Sequence, residues 1–265
     1  MKSIAICIGK GGQWKTSLTV NMSYLLKEKG YKVLVIDCDT QANASLTFKA
    51  RMDDATIYDC WVDERRPLDP HECIQHTEDG DIIVSDTLLS QLASLINDSN
   101  STLTFTSLKT KVFDKLTDYD YILCDCPPDL TGSINKSVLA SVDEALIPMV
   151  GDAYSVQGLS NQYTLIRALK DGVNGSNAIN PNLKINGLVV TDFVVNRNAE
   201  KNHYENARLI AEKIGTKLYT QYIRACADGK KAIDNQQLVV KAKPWCNSSI
   251  DYKAFVDEFL EGEVV

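Results

Sequence analysis

An α/β fold, with a mainly parallel sheet and helices on both faces, is predicted by three features of the sequence. First, short apolar runs recur along it, at Ile4–Ile8, Val33–Ile36, Ile82–Val84, Tyr121–Cys124, Ala145–Ile147 and Leu188–Val190. They are continuous rather than alternating, the pattern of strands covered on both sides. Second, segments with helical spacing of apolar residues stand between and after these runs. Leu159, Tyr163, Ile166 and Leu169 share one face; so do Ala207, Ile210, Ala211 and Ile214; Tyr252, Phe255, Val256, Phe259 and Leu260 form another. Third, the first run stops at glycines and gives way at once to a helical stretch with Leu18, Met22, Leu25 and Leu26 on one face.

Bulk properties are those of an ordinary globular protein. Hydrophobic residues at 44% and charged residues at 24% of 265 allow a sizeable core without disulfide or metal staples. The segment Asp171–Asn182, rich in Gly, Asn, Ser and Pro, is a loop and shorter than an interdomain linker need be, so one domain over 1–265 is expected. No apolar run reaches the roughly 18 residues of a membrane span. The first strand begins almost at the N-terminus, leaving no room for a signal peptide, and a cytoplasmic protein is expected. In that setting the eight cysteines, with no Cys-x-x-Cys pair, read as thiols. Cys7, Cys38, Cys124 and Cys126 fall in or beside strands as small buried hydrophobes. Cys124 and Cys126, spaced to face one side, leave a metal site as the minor alternative.

The net charge of −7 argues against a uniformly basic nucleic-acid binder. Residues 184–243, however, hold eleven Lys and Arg against six Asp and Glu, or +5, so the rest carries −12. Solvated helix faces explain such a distribution; a local anion-binding patch is the sharper reading.

Three stretches carry chemistry. In Gly9-Lys10-Gly11-Gly12-Gln13-Trp14-Lys15-Thr16-Ser17 a strand meets a glycine loop and then a helix, the context in which backbone N–H groups cradle phosphate oxygens. Lys15 can reach the outer phosphates, and Thr16 can offer its hydroxyl to Mg²⁺. In Ile36-Asp37-Cys38-Asp39 two carboxylates leave the end of a strand, where open α/β sheets bind ligands. One would orient water and the other support the metal; the plain alternative is a capped turn. In Leu123-Cys124-Asp125-Cys126-Pro127-Pro128-Asp129 a strand ends in one acid before two prolines. Asp125 suits Mg²⁺ held opposite Thr16, and Asp129–Gly132 suits a switch that senses the γ-phosphate; an ordinary Asp-Pro turn is the alternative.

Together these stretches resemble one family. Lys10–Ser17 resembles the deviant Walker A motif, Lys-Gly-Gly-x-Gly-Lys-Thr-Thr/Ser. Asp37-Cys38-Asp39-Thr40-Gln41-Ala42-Asn43-Ala44 is similar to the Asp-x-Asp-Pro-Gln-x-Asn-Ala segment of ParA-type partition ATPases, and Tyr119–Pro128 to their Walker B segment. Weaker landmarks are Ala145–Pro148, Gln157–Leu159, Ile223-Arg224 and the closing helix near Asp251-Tyr252. The resemblance implies a P-loop NTPase using ATP and Mg²⁺, in which two ATP-bound copies form a sandwich homodimer. It implies that Lys10 crosses to the partner's phosphates, Lys15 serves its own, Asp39 positions the attacking water, and Asp37, Thr16 and Asp125 make the metal site. ATP contacts fall on Gly11, Gly12, Gln13, Trp14, Lys15, Thr16 and Ser17, with Asn196 at an adenine-contacting position. Non-specific DNA binding is implied for the dimer, with Arg197, Lys201, Arg224, Lys230, Lys231, Lys241 and Lys243 as candidates. So are a centromere-binding adaptor that stimulates hydrolysis and association with the nucleoid. The loop starts near residue 9, which resembles the short form without a preceding helix-turn-helix.

Three residues depart from the family pattern: Trp14 for Gly, Thr40 for Pro, and Asp129 for a small residue. Trp14 matters most, because glycine allows backbone angles that tryptophan resists. A nucleotide-bound scaffold with little turnover is therefore an alternative. A MinD-like membrane-surface ATPase is another, opposed by the tail Asp251–Val265, whose five acids and one lysine are repelled by anionic lipid. An iron-protein-like reductase would need cysteines paired for a cluster, which the spacing does not offer.

Overall fold

The computed structural model describes residues 1–129, 132–150, 153–173, 176–195 and 198–263, with the backbone alone at 153–156 and 198–201. The first half runs β1 (Lys2–Ile6), α1 (Lys15–Glu28), β2 (Val33–Asp37), α2 (Asn43–Thr47), β3 (Ile74–His76), β4 (Asp81–Ile83), α3 (Leu92–Ile96), α4 (Ser107–Lys111) and β5 (Tyr121–Asp125). The second runs α5 (Ser133–Ser141), β6 (Glu144–Val150), α6 (Ala153–Asp171), β7 (Lys184–Thr191), α7 (Asn198–Ile214), α8 (Ala227–Asp234), α9 (Val239–Ala242) and α10 (Asn247–Glu261).

The strands form one sheet in the order β3-β4-β2-β5-β1-β6-β7. Every pairing is parallel except β3 with β4. All six apolar runs lie on this sheet or at its ends. The first is shifted: the strand is Lys2–Ile6, and Cys7 and Ile8 have already left it for the loop. The edge strand β3, three residues of intermediate to exposed character, was not read from the sequence.

Strand side chains alternate between two cores, as the pleat demands. Ile4, Ile6, Val33, Val35 and Leu123 pack with Leu18, Met22 and Leu26 of α1 and with Tyr252, Phe255, Val256 and Phe259 of α10. Ala5, Cys7, Leu34, Ile36, Ile122 and Cys124 face the other way, towards Val138 and Leu139 of α5, Leu159, Ile166 and Leu169 of α6, and Ala207 and Ala211 of α7. Cys7, Cys38, Cys124 and Cys126 belong to this second core as the buried hydrophobes they were expected to be.

Candidate nucleotide and metal site

The sheet brings the motif residues together by register. Ile6 lies beside Asp125, and Asp125 beside Asp37, so both acids stand abreast at the carboxyl edge of the central strands. The glycine loop leaves β1 at this edge and enters α1.

Gln13 fixes the loop's course. The Val150 N–H donates to Gln13 Oε1 (2.8 Å) and the Thr191 hydroxyl to the Gln13 carbonyl (3.4 Å), tying the loop to the ends of β6 and β7. Its side chain, expected among the ATP contacts, acts as a strut. Trp14 caps α1 with φ 61° and ψ 25°, and the Leu18 N–H closes the first helical turn onto its carbonyl. This left-handed conformation costs an L-residue about 1–2 kcal/mol. The chain thus keeps the backbone angles that glycine would adopt here, with the indole half-buried between the cleft and a small cavity bounded by Ile223 and Tyr252. A stability ranking follows. Trp14→Ala removes the indole packing and keeps the strained angles, whereas Trp14→Gly removes the packing but relaxes the backbone. Urea unfolding should find the glycine variant more stable than the alanine variant by about 1 kcal/mol.

The Lys15 ammonium, nearly buried, donates to the Lys10 carbonyl at 3.2 Å, curled inside the loop that would surround a phosphate. Lys10 is half-buried, and Gly158 of α6 leaves space beside it; a Cβ there would stand 3.6 Å from Lys10 Cβ. The Thr16 hydroxyl donates to Asp125 Oδ2 at 2.7 Å, and the Thr19 hydroxyl approaches Asp125 Oδ1 at 3.3 Å. Ser17, expected to contact ATP, has its hydroxyl 2.9 Å from that of Tyr252 in α10. Asn21, one turn on, donates to the Ser17 carbonyl (2.7 Å) and accepts from the Val240 N–H (3.0 Å), so α9 and α10 are fastened to the first turns of α1.

The two strand-end acids differ from the pair foreseen. Asp37 is fully buried and accepts from the Ser45 N–H (2.8 Å), the Ser45 hydroxyl (2.7 Å) and the Asp39 N–H (3.1 Å). These bonds hold α2 against the sheet and occupy the Asp37 carboxylate that was expected at the metal site. Asp39, at 9% exposure, borders the cleft and accepts from the Gln41 N–H at 3.0 Å. Burial pushes the Asp37 carboxyl up to about 6 against the pull of the Ser45 and Asp39 bonds. Burial, reinforced by the charge of Asp37, pushes Asp125 up to about 8 despite the Thr16 bond and the Lys15 charge. Such a pair is short of positive charge. A divalent cation beside Thr16 and Asp125 would supply it, and hard oxygen donors suit Mg²⁺. Among the described residues no three His, Cys, Asp or Glu are grouped as a metal cage.

A cleft of about 590 Å³ opens over these groups. Gly11, Gly12, Lys15, Thr16, Asp39 and Pro128 line it, together with Asn43, Thr47, Asp192, Gln236 and Gln237, to which the sequence alone gave no role. Asn43 belongs to the Asp37–Ala44 segment. Gln236 and Gln237 come from beyond α8, and no local pattern marks them. Beside the segment expected to act as a switch, the Asn135 side chain donates to the carbonyls of Pro127 (3.0 Å) and Asp129. Leu130 and Thr131 lie outside the described residues.

The basic candidates divide. Arg224 makes a bidentate pair with the nearly buried Asp251, Nε at 2.8 Å and Nη2 at 2.7 Å. Lys241 pairs with Glu78 (2.6 Å) and Asp79 (2.7 Å). The charge of these two is compensated within the fold, which departs from the expected patch. Lys230, Lys231 and Lys243 are exposed. Asn196 and Arg197 lie outside the described residues, and the Lys201 side chain is not described.

Comparison with known proteins agrees with this arrangement. The AAA domain family matches residues 1–185. The chromosome partitioning protein ParA of Myxococcus xanthus is 31% identical over 195 residues, a match spanning 71% of this chain and 64% of that protein. The sporulation initiation inhibitor protein Soj of Bacillus subtilis is 31% identical over 193 residues, covering 72% of each chain. Among solved structures, an ATP complex of Cyanothece McdA superposes with a TM-score of 0.81 at 18% identity, over 100% of this chain and 97% of that one. The chain belongs to the AAA domain family and, within it, to the ParA/MinD group of P-loop proteins.

Proposed function

We propose that the chain is an ATP-dependent DNA partition ATPase, with 1–265 acting as one ATPase domain. ATP and Mg²⁺ are its cofactors; bound Mg²⁺ neutralises charge between the phosphoryl oxygens. Thr16 and Asp125 would hold the metal, with Asp37 fixing the floor beneath them. Lys15 would turn from the Lys10 carbonyl to the β- and γ-phosphates, and Asp39 would position water. In a sandwich homodimer Lys10 would reach the other copy's phosphates, adding positive charge where the transition state spreads negative charge. The ATP dimer would bind DNA without sequence preference through Lys230, Lys231 and Lys243, joined by Arg197 and Lys201, and so associate with the nucleoid. A centromere-bound adaptor would stimulate hydrolysis and reset it.

The observation that carries this reading is the 2.7 Å bond from Thr16, which lines the cleft together with Asp39, to the buried Asp125. The names of the Myxococcus and Bacillus relatives and the ATP in the McdA complex support it. Trp14 in the glycine-like conformation favours a working loop over an inert scaffold. The apolar face of α10 is spent on the core, where Phe255, Val256 and Phe259 are buried, and this weighs against a membrane-surface role. Electrophoretic mobility shift at low salt tests the proposal. Non-specific duplex should shift with ATP and Mg²⁺ but not with ADP, and Asp39→Ala should retain the shift while hydrolysis falls about 10²-fold or more. No ATP-dependent shift would remove the DNA-binding part of the reading.

A further inference from the structure

Trp245 is the most exposed large apolar side chain among the described residues, with 87% of its surface open to water. The turn that presents it is anchored. Pro244 restricts the backbone just before it, and the Cys246 N–H closes the turn onto the Lys243 carbonyl at 3.1 Å. The hydroxyl of the fully buried Ser249 lies within hydrogen-bond reach of that carbonyl (2.7 Å) and of the Val239 carbonyl (3.0 Å), tying the turn to α9 and α10. The indole therefore projects from a fixed point rather than from a loose loop.

Its surroundings are cationic. The Lys253 ammonium of α10 stands 5.8 Å from the centre of the indole ring, within cation–π range. Lys243, two residues before the indole, is exposed. α8 begins beside α10, since a Cβ on Gly229 would come within 2.4 Å of Ser248 Oγ, and the exposed Lys230 directly follows that contact. Several acids that would repel an anion are engaged. Asp251 holds Arg224, Asp257 pairs with Lys29, and Glu258 accepts from the N–H groups of Thr220 and Gln221. Asp228 and Asp234 of α8 stay exposed, as does Glu261 at the opposite end of α10. Ile250, 47% exposed and three residues before Lys253, adds apolar surface on the same helix face.

We infer that Trp245 is an aromatic contact to DNA, its indole stacking on a base while Lys230, Lys243 and Lys253 meet the flanking phosphates. This rests on the DNA-binding reading proposed above and adds to it a contribution that is not electrostatic. A flat ring with lysines around it matches a base between phosphates. An anionic bilayer asks for a broad apolar face, and that of α10 is turned inward at Phe255, Val256 and Phe259. In a duplex the ring must wedge into a base step, so a step that is already weakened takes it more readily.

Fluorescence anisotropy with ATP and Mg²⁺ tests this on a labelled duplex and on the same duplex carrying a mismatch. Wild type should bind the mismatched duplex about threefold more tightly. Trp245→Ala should weaken binding about tenfold and hold both duplexes alike. Its slope of log affinity against log salt should equal that of wild type, because no phosphate contact is lost. Trp245→Phe keeps a stacking ring and should recover most of the loss. Melting temperatures of both variants should match wild type, since the side chain stands in solvent. Wild-type binding that Trp245→Ala equals overturns this inference and leaves the proposed activity standing. Absence of ATP-dependent binding by wild type removes both. A lower salt slope for Trp245→Ala, or no recovery by Trp245→Phe, overturns the stacking role. Loss of sedimentation with phosphatidylglycerol vesicles in Trp245→Ala, with DNA binding intact, assigns the ring to a bilayer instead.

Discussion

Asp125→Asn is expected to act in opposite directions on turnover and on stability. Hydrolysis should fall about 10²- to 10³-fold, because the amide offers a metal no charge beside Thr16. Stability of the nucleotide-free protein should rise at pH 8. The cause is the fully buried carboxylate abreast of Asp37. Its folded value of about 8 lies above the ordinary 3.8. Between those values the folded state keeps a proton that the unfolded chain has released, so stability is lost as pH climbs through the window. Removing the ionisable group removes that loss, which for a buried carboxyl is on the order of 2–4 kcal/mol at neutral to mildly alkaline pH. Thermal melts of both proteins from pH 5 to pH 9 without nucleotide check this. The wild-type melting temperature should decline towards alkaline pH, and the Asn variant should decline less and overtake it. If the variant melts lower throughout, the Thr16 and Thr19 hydrogen bonds to the carboxylate matter more than its charge. The wild-type decline should flatten with Mg²⁺ and nucleotide bound, since a cation at this site favours the ionised form and its binding releases a proton.

How much of this was legible in the sequence depends on how local each feature is. The fold class follows from contiguous patterns: each of the six runs falls on a strand and each of the three helical faces on a helix, with strand ends displaced, as at Cys7 and Ile8. Thr16 opposite Asp125 was also legible, because each belongs to a motif whose position at a strand end fixes it in space. The edge strand β3 was not: three half-exposed residues have no periodicity, and only pairing with β4 makes them a strand. Asp37 was misjudged in detail because the residue that occupies it, Ser45, lies eight positions on and is turned back by α2. The turn requires Ala42 at φ 53°, which no local rule announces for alanine. Ser17 and Gln13 read as phosphate contacts from their motif, yet their side chains serve α10 and β6, partners more than 100 residues away. The glutamines that close the cleft come from the same remote part of the chain as Tyr252.

The charge count illustrates the same limit and leads to the last expectation. The surplus of +5 over 184–243 treats its cations alike, but the fold does not. The Arg224 guanidinium is bidentate on Asp251, whose side chain is 5% exposed, and the Arg224 N–H donates to the same carboxylate at 2.9 Å. Arg224→Ala therefore leaves a nearly buried carboxylate with one backbone donor in place of three. Breaking such a pair costs more than a surface bridge and, with the arginine itself partly solvated, about 2 kcal/mol is expected in urea unfolding. DNA affinity of the folded fraction should change little, and its salt dependence should keep the wild-type slope. Lys230→Ala with Lys231→Ala should do the reverse. Unfolding would stay within about 0.5 kcal/mol of wild type, since both side chains are exposed. The slope of log affinity against log salt would fall by about 1 for each phosphate that is no longer neutralised. The two measurements separate a cation that holds α10 to the β7 edge from cations that meet a polyanion. A reduced slope with unchanged stability for Arg224→Ala would move Arg224 into the second group.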